Sequence, residues 1–196
     1  FNAVLQYLKY TGDFRFVRTE LWETLKSMVE HHVQGTLHGI HMDKDYLIAH
    51  GPRLTWMDAA VNNQPVTPRQ GKAVEVQALW YNALKTMELL ATRFNEKAQP
   101  DEYASMAEKT RRSFDQEFWN PQTNCLFDVI DDERKDTSMR PNQVVAAALD
   151  FSILDRAKSK RVVEAVQQNL WRVYGLRTLS KVDSRYIGSY MGDRVH

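Results

Sequence analysis

The sequence predicts an all-α domain built from helical hairpins, and three observations carry that prediction. Apolar residues recur at spacings of three and four through most of the chain, as in Leu79, Ala83, Met87, Leu90 and Phe94, the period of an amphipathic helix. Pro, Gly, Asn and Asp punctuate the ends of these runs. Successive runs are joined closely at residues 94–101 and 151–156, which favours antiparallel neighbours. A bundle, a solenoid and an α/α toroid all satisfy this pattern. No fixed-period repeat of the tetratricopeptide or ankyrin type is present. One domain is the count expected over residues 1–196, since a chain of this length holds one core or part of a larger one.

The elements follow in order. The first ten residues mix apolar groups with Asn2, Gln6 and Lys9, as an amphipathic helix does and a signal peptide does not. Leu21, Leu25, Met28 and Val29 predict a helix from about Phe14 to His32, stopping near Gly35. Residues 35–71 then read as a long, mostly irregular segment, too rich in Tyr46, Leu54, Trp56 and Met57 for disorder. Thr67-Pro68-Arg69-Gln70 combines a capping box with a helix-opening proline ahead of the Leu79 to Phe94 run. Tyr103, Met106, Thr110, Phe114 and Phe118 form the next helix, opened by Pro100-Asp101 and stopped by Asn120-Pro121. Shorter helices carry Val144, Val145, Ala148 and Leu149, then Ala157, Val162, Val166 and Leu170. Residues 45–49 and 125–130 read as short strands, the second closing a hairpin over the turn-rich residues 120–124.

Composition narrows the function classes. With 43% apolar and 26% charged residues and a net charge of +1, the chain has no global field that would favour nucleic acid or an acidic membrane surface. No apolar run approaches the ~20 residues of a membrane span. Cys125 is the only cysteine, so no intramolecular disulfide can form, in keeping with a cytoplasmic setting. The chain begins at Phe1 and stops at Val195-His196, which reads as part of a longer polypeptide.

Four groups of residues merit a chemical reading. His31, His32, His38, His41 and His50 have no metal-site spacing, and polar loop lining is the better reading. Asp131-Asp132-Glu133 lacks the alternate oxygens and central glycine of a calcium loop. In Leu54-Thr55-Trp56-Met57-Asp58-Ala59 a carboxylate follows two large apolar side chains. Held against them in a partly dry pocket, its pKa would rise, as a general acid requires; a turn or capping Asp is the commoner use. Finally, Lys72, Glu75 and Asn82 stand at spacings of three and seven. On one helix they would form a polar stripe with Leu79, either solvated or suited to the hydroxyl edges and C–H faces of a sugar. Lys72 beside Glu75 would hold that carboxyl ionised. Gly71-Lys72 lacks the remaining residues of a phosphate loop.

The third and fourth groups together resemble the amylo-α-1,6-glucosidase domain at the C-terminus of glycogen debranching enzymes. The likeness rests on residues 54–59 and on Val66-Thr67-Pro68-Arg69-Gln70-Gly71-Lys72 through Trp80-Tyr81-Asn82-Ala83-Leu84. Phe118-Trp119-Asn120, Arg140-Pro141-Asn142-Gln143, Tyr174-Gly175-Leu176-Arg177-Thr178-Leu179-Ser180 and Tyr186-x-Gly188-x-Tyr190 follow in the same order. The resemblance implies an (α/α)6 toroid, here an incomplete barrel with short β-hairpins in its loops. It implies an inverting glycoside hydrolase acting on the α-1,6-linked glucose of a branched α-glucan such as glycogen, with no metal or organic cofactor needed. Asp58 stands where the general acid is expected and Trp56 where a sugar platform or pocket wall is expected. Arg69, Lys72, Glu75 and Trp80 fall near the substrate side, and Asn142, Gln143 and Arg177 in motifs that border the cleft. Glu75 is expected as a sugar-hydroxyl acceptor or an orienting ion-pair member rather than the base.

The sequence departs from the family in two places. The family continues with a His-Gln-Gly-x-x-Trp-x-Trp-like segment and, later, the acidic residue expected as general base, both beyond His196. Asn62-Asn63-Gln64 stands where relatives often carry Gly or Asp. The expected partner is therefore the rest of the barrel, and this piece alone is expected to be inactive. Trehalase-like or glucoamylase-like barrels are rival readings against which the Thr-Pro-Arg-x-Gly-Lys block weighs; a non-enzymatic helical sugar-binding module is a third.

Overall fold

The computed structural model describes residues 1–132 and 134–189. Glu133 of the charged loop and Tyr190 of the Tyr186-x-Gly188-x-Tyr190 motif lie outside the described residues.

Helix α1 (Asn2–Thr11) ends on Gly12, whose φ of 66° lets its N–H reach back to the Leu8 carbonyl at 2.8 Å. Asp13 then caps α2 (Phe14–Phe16) through its side chain. A π-helical turn, Val17–Leu21, runs α2 directly into α3 (Trp22–Gln34), and Thr19 bonds back to the Arg15 carbonyl across it at 3.1 Å. After the long loop come α4 (Val74–Arg93), α5 (Gln99–Phe118), the short α6 (Val144–Ala148) and α7 (Arg156–Leu170). Counting α2–α3 as one, six helical segments make an all-α, toroid-like array of hairpins that does not close a barrel among the described residues.

Helix α4 is the spine of this array because it is apolar on more than one face. On one side Trp80, Ala83, Leu84, Met87 and Leu90 meet Leu8 of α1, Trp22, Leu25 and Val29 of α3, and Tyr103 of α5. On the other, Val74 and Ala78 join Phe114 and Phe118 of α5 with Leu126, Ile130, Ala146, Ile153 and Val162. The Phe114 and Phe118 rings stack at 4.7 Å, one helical turn apart. No described helix is long and apolar enough to cross a membrane.

The loops hold short hairpins. In the long loop these are β1 (His41–Met42) with β2 (Ile48–Ala49), and β3 (Ala60–Val61) with β4 (Gln64–Pro65). The second turns through Asn62 and Asn63, both with positive φ (49° and 63°), the two-residue turn that matches strand twist. A three-stranded sheet is built from β5 (Lys72–Ala73), β8 (Val129–Asp131) and β9 (Arg134–Lys135). Strands β6 (Trp119–Asn120) and β7 (Cys125–Leu126) form the hairpin expected over residues 120–124. Strands β10 (Trp171–Arg172) and β11 (Gly175–Leu176) close another.

Three expectations are corrected here. The Thr67-Pro68 signal does not start a helix: residues 72–73 are strand and α4 begins at Val74. Lys72 is therefore off the helix and shares no helical stripe with Glu75. The strands expected over residues 45–49 and 125–130 are shorter, with Asp45 and Tyr46 in a turn and 125–130 divided between β7 and β8.

Strand β5 explains the glycine before it. His50 and Gly71 exchange two backbone hydrogen bonds of 2.9 Å, and Gly71 has a φ of 95°. A Cβ at Gly71 would sit 2.3 Å from the Ile130 carbonyl oxygen. Gly71→Ala is therefore expected to destabilise the fold by about 2–3 kcal/mol. The loss reads as a lower urea midpoint with unchanged slope.

Candidate active site

The loop that carries Asp58 stands over a buried cluster of charge. Arg69, immediately ahead of β5, is 1% exposed. Its guanidinium grips Glu75, in the first turn of α4, with two bonds of 2.5 and 2.6 Å. It also donates from Nε to Asp128 at 2.8 Å, and from a terminal nitrogen to the other Asp128 oxygen at 3.3 Å. Arg140 approaches Asp128 at 3.7 Å and donates to the Thr178 carbonyl at 3.2 Å. Two guanidiniums thus face two carboxylates in a space that water does not reach, the balance that buried charges require.

Secondary structure sets these side chains in place. The Val74 N–H, first of α4, bonds to the Asp128 carbonyl at 3.0 Å, so residue 128 is fixed to the helix that presents Glu75. Residues 141–143 form a 3-10 turn opened by Pro141, which brings Asn142 beside Asp128, to which it donates at 2.7 Å. Gln143 ties the same turn to β7, accepting from the Leu126 N–H at 3.2 Å. Burial opposes the charge on Arg69, yet Glu75 and Asp128 outweigh it, and its pKa lies above the ordinary value. Burial pushes the Asp128 carboxyl up, against the pull of Arg69 and Asn142.

Above this cluster runs the Thr55–Asp58 loop. The Thr55 hydroxyl accepts from Arg69 at 3.2 Å and from the Met57 N–H at 3.3 Å. The Trp56 indole N–H donates to Asn142 at 2.9 Å while the residue remains 58% exposed. Asp58 itself is exposed. The desolvated pocket expected around its carboxyl from Trp56 and Met57 is not formed among the described residues.

The sequence-predicted residues are distributed over four places. Trp56, Arg69, Glu75 and Asn142 meet in the cluster, with Gln143 beside it. Lys72 turns instead to Asp43 and Asp45, at 2.8 and 2.7 Å, so its partners are these, and the cation that grips Glu75 is Arg69. It lines a cleft of about 340 Å³ with His50, Gln70 and Asp131. Burial works against the Lys72 charge, but bonds to Asp43 and Asp45 raise its pKa. Trp80 is 5% exposed on the α3 side, its ring stacked on His32 at 5.9 Å. It borders an apolar cavity of about 300 Å³ with Leu54, Val76 and Leu79. Arg177 follows β11 and lies over the Tyr186 ring, donating to its hydroxyl at 3.3 Å. Four of the five grouped histidines, His31, His32, His41 and His50, each bond a nearby backbone carbonyl through Nδ1.

Asp128, Arg140 and Thr55 are the members of this cluster that sequence reasoning passed over as site residues. One signal for Asp128 was present: a lone carboxylate inside Cys125-Leu126-Phe127-Asp128-Val129-Ile130 is buried by its neighbours and so demands a cation. The cluster is a charge-balanced foundation of buried side chains, and Asp58, in the loop above it, is exposed.

The sequence profile of the amylo-α-1,6-glucosidase family matches residues 1–196. No curated protein sequence matches. A solved structure of a GH78 family rhamnosidase of Bacillus sp. GL1 superposes with a TM-score of 0.63 at 18% identity. The match takes in 83% of this chain and 16% of the rhamnosidase chain, a likeness of fold.

Proposed function

Since the chain belongs to the amylo-α-1,6-glucosidase family, we propose that it supplies the acid half of a debranching glucosidase within a longer polypeptide. The observation that carries this reading is the Thr55–Asp58 loop, which offers an exposed carboxylate from a position pinned to buried charge. Protonated Asp58 gives its proton to the glycosidic oxygen of an α-1,6-linked glucose. A second carboxylate activates water on the opposite face, with the pair roughly 6.5–9.5 Å apart as inversion requires. Glu75 and Asp128 are poor candidates for that base, because Arg69 occupies both. The base then comes from the rest of the barrel, and residues 1–196 alone do not turn over. The exposed Trp56 face suits a sugar ring. Lys72, Trp80 and Arg177 stand outside this cluster, while Arg69, Glu75, Asn142 and Gln143 serve substrate through the loop and turn they hold. A cytoplasmic setting and a branched α-glucan such as glycogen complete the reading.

The test is product analysis with the full-length protein. It is expected to release glucose from a maltooligosaccharide bearing one α-1,6-linked glucosyl branch, with the β-anomer appearing first by NMR. Initial release of the α-anomer would overturn inversion. Preferential hydrolysis of trehalose or of a linear α-1,4 chain would overturn the substrate assignment.

A further inference from the structure

We infer that Asp128 is a positioning residue for Asp58: through Arg69 to Thr55, and through Asn142 to Trp56, one buried carboxylate fixes where the acid's loop stands. The inference rests on the general-acid reading of Asp58.

The loop needs such a device. Among the described residues, no backbone–backbone hydrogen bond anchors residues 51–58. What holds them is side-chain tethering, and both principal tethers lead to Asp128. The first runs through Arg69, whose five N–H groups are all engaged. Nε bonds Asp128, one terminal nitrogen bonds Asp128 and Glu75, and the other bonds Glu75 and, with its last N–H, Thr55. The planar guanidinium reaches Thr55 only while both carboxylates hold its plane. The second tether uses an amide as a one-way connector. An ionised carboxylate accepts and does not donate, so it draws the Nδ2 end of Asn142 to itself at 2.7 Å. The amide oxygen is thereby turned to accept from the Trp56 indole at 2.9 Å. Thr55 and Trp56 are the third and second residues before Asp58. Because the backbone carbonyl of Asp128 is bonded to Val74, its side chain can be altered while its place beside α4 is kept.

Asp128→Asn in the full-length protein tests this. The new amide must point its own N–H groups at either Arg69 or Asn142, so one tether breaks. Turnover of the α-1,6-branched maltooligosaccharide is expected to fall about 10- to 100-fold, the effect of a misplaced catalytic group, with the loss in kcat and KM little changed. Hydrolysis of α-glucosyl fluoride, whose leaving group needs no proton, is expected to stay near the parent rate. Combining Asp128→Asn with Asp58→Asn should cost no more on the branched substrate than Asp58→Asn alone, as for residues acting as a unit. Equal losses on both substrates, additive losses, or undiminished turnover overturn the positioning role. Where Asp128→Asn does not fold, Thr55→Val cuts the Arg69 tether at its outer end. The same leaving-group dependence is then expected, and unchanged kcat on the branched substrate overturns the proposal. Full turnover by Asp58→Asn removes the acid reading and the positioning role together. Loss in Asp58→Asn with full turnover in Asp128→Asn removes the positioning role alone.

Discussion

Asp58→Asn in the full-length protein is expected to lower kcat on an α-1,6-branched maltooligosaccharide by about 10²- to 10⁴-fold, the usual contribution of a general acid. The sugar alkoxide that departs is a strong base, so without a proton donor the bond breaks only by placing that charge in water. The amide keeps the shape of the carboxyl and its exposure, so binding of the glucan should persist. α-Glucosyl fluoride separates acid catalysis from any other fault: fluoride leaves without a proton, and its hydrolysis should be nearly unaffected. A variant that loses both substrates equally would point to a structural defect and away from proton donation. Steady-state rates on the two substrates, measured on one preparation, decide the matter.

Arg69→Met carries the largest expected effect on stability. It leaves Glu75 and Asp128, 4% and 2% exposed, as buried carboxylates without their main cation, and breaking such a pair costs about 3–5 kcal/mol. Arg69→Lys should rescue little, since one ammonium cannot supply five donors in a plane. The loss should also depend on pH. Burial already raises the Asp128 pKa, and without Arg69 nothing comparable holds it down. A carboxyl whose folded pKa exceeds its unfolded value of about 3.9 binds protons more tightly in the folded state. Its stabilisation is therefore present below that unfolded value and is lost as pH rises through the folded one. Arg69→Met should thus lie nearer the parent in urea midpoint at pH 4 than at pH 7. A deficit that does not change with pH would mean that lost packing, and not stranded charge, is the cause.

Helices were legible in the sequence wherever a local period decides the structure. Leu79 to Phe94 and Tyr103 to Phe118 fall within α4 and α5 or at the α4 boundary, and the β6–β7 hairpin follows from its turn residues. What the local signal misjudged is where a non-local partner prevails. Thr67 and Pro68 have the chemistry of a helix start, but β8 pairs with residues 72–73 and delays α4 to Val74. Lys72 and Glu75 have helical spacing, yet that pairing gives them different partners. Asp58, Arg69, Glu75 and Asn142 were singled out through resemblance to a family, while Asp128 and the contacts that join these residues were not. Arg69 and Asp128 lie 59 residues apart, and Trp56 and Asn142 lie 86 apart, distances over which periodicity carries no information.

Those separations have a further consequence, for the order in which the molecule assembles. Helices α4 and α5 are consecutive and share much of both apolar clusters, so their association closes a short stretch of chain and belongs to the rapid, low-contact-order part of folding. The bond between Trp56 and Asn142 closes 86 residues, and it forms only once Asp128 and the 3-10 turn are docked. The placement of the Thr55–Asp58 loop is thus a late product of folding. A partly folded chain has its helices before it has the two tethers, so the carboxylate proposed as the acid is the last part of the fold to find its place.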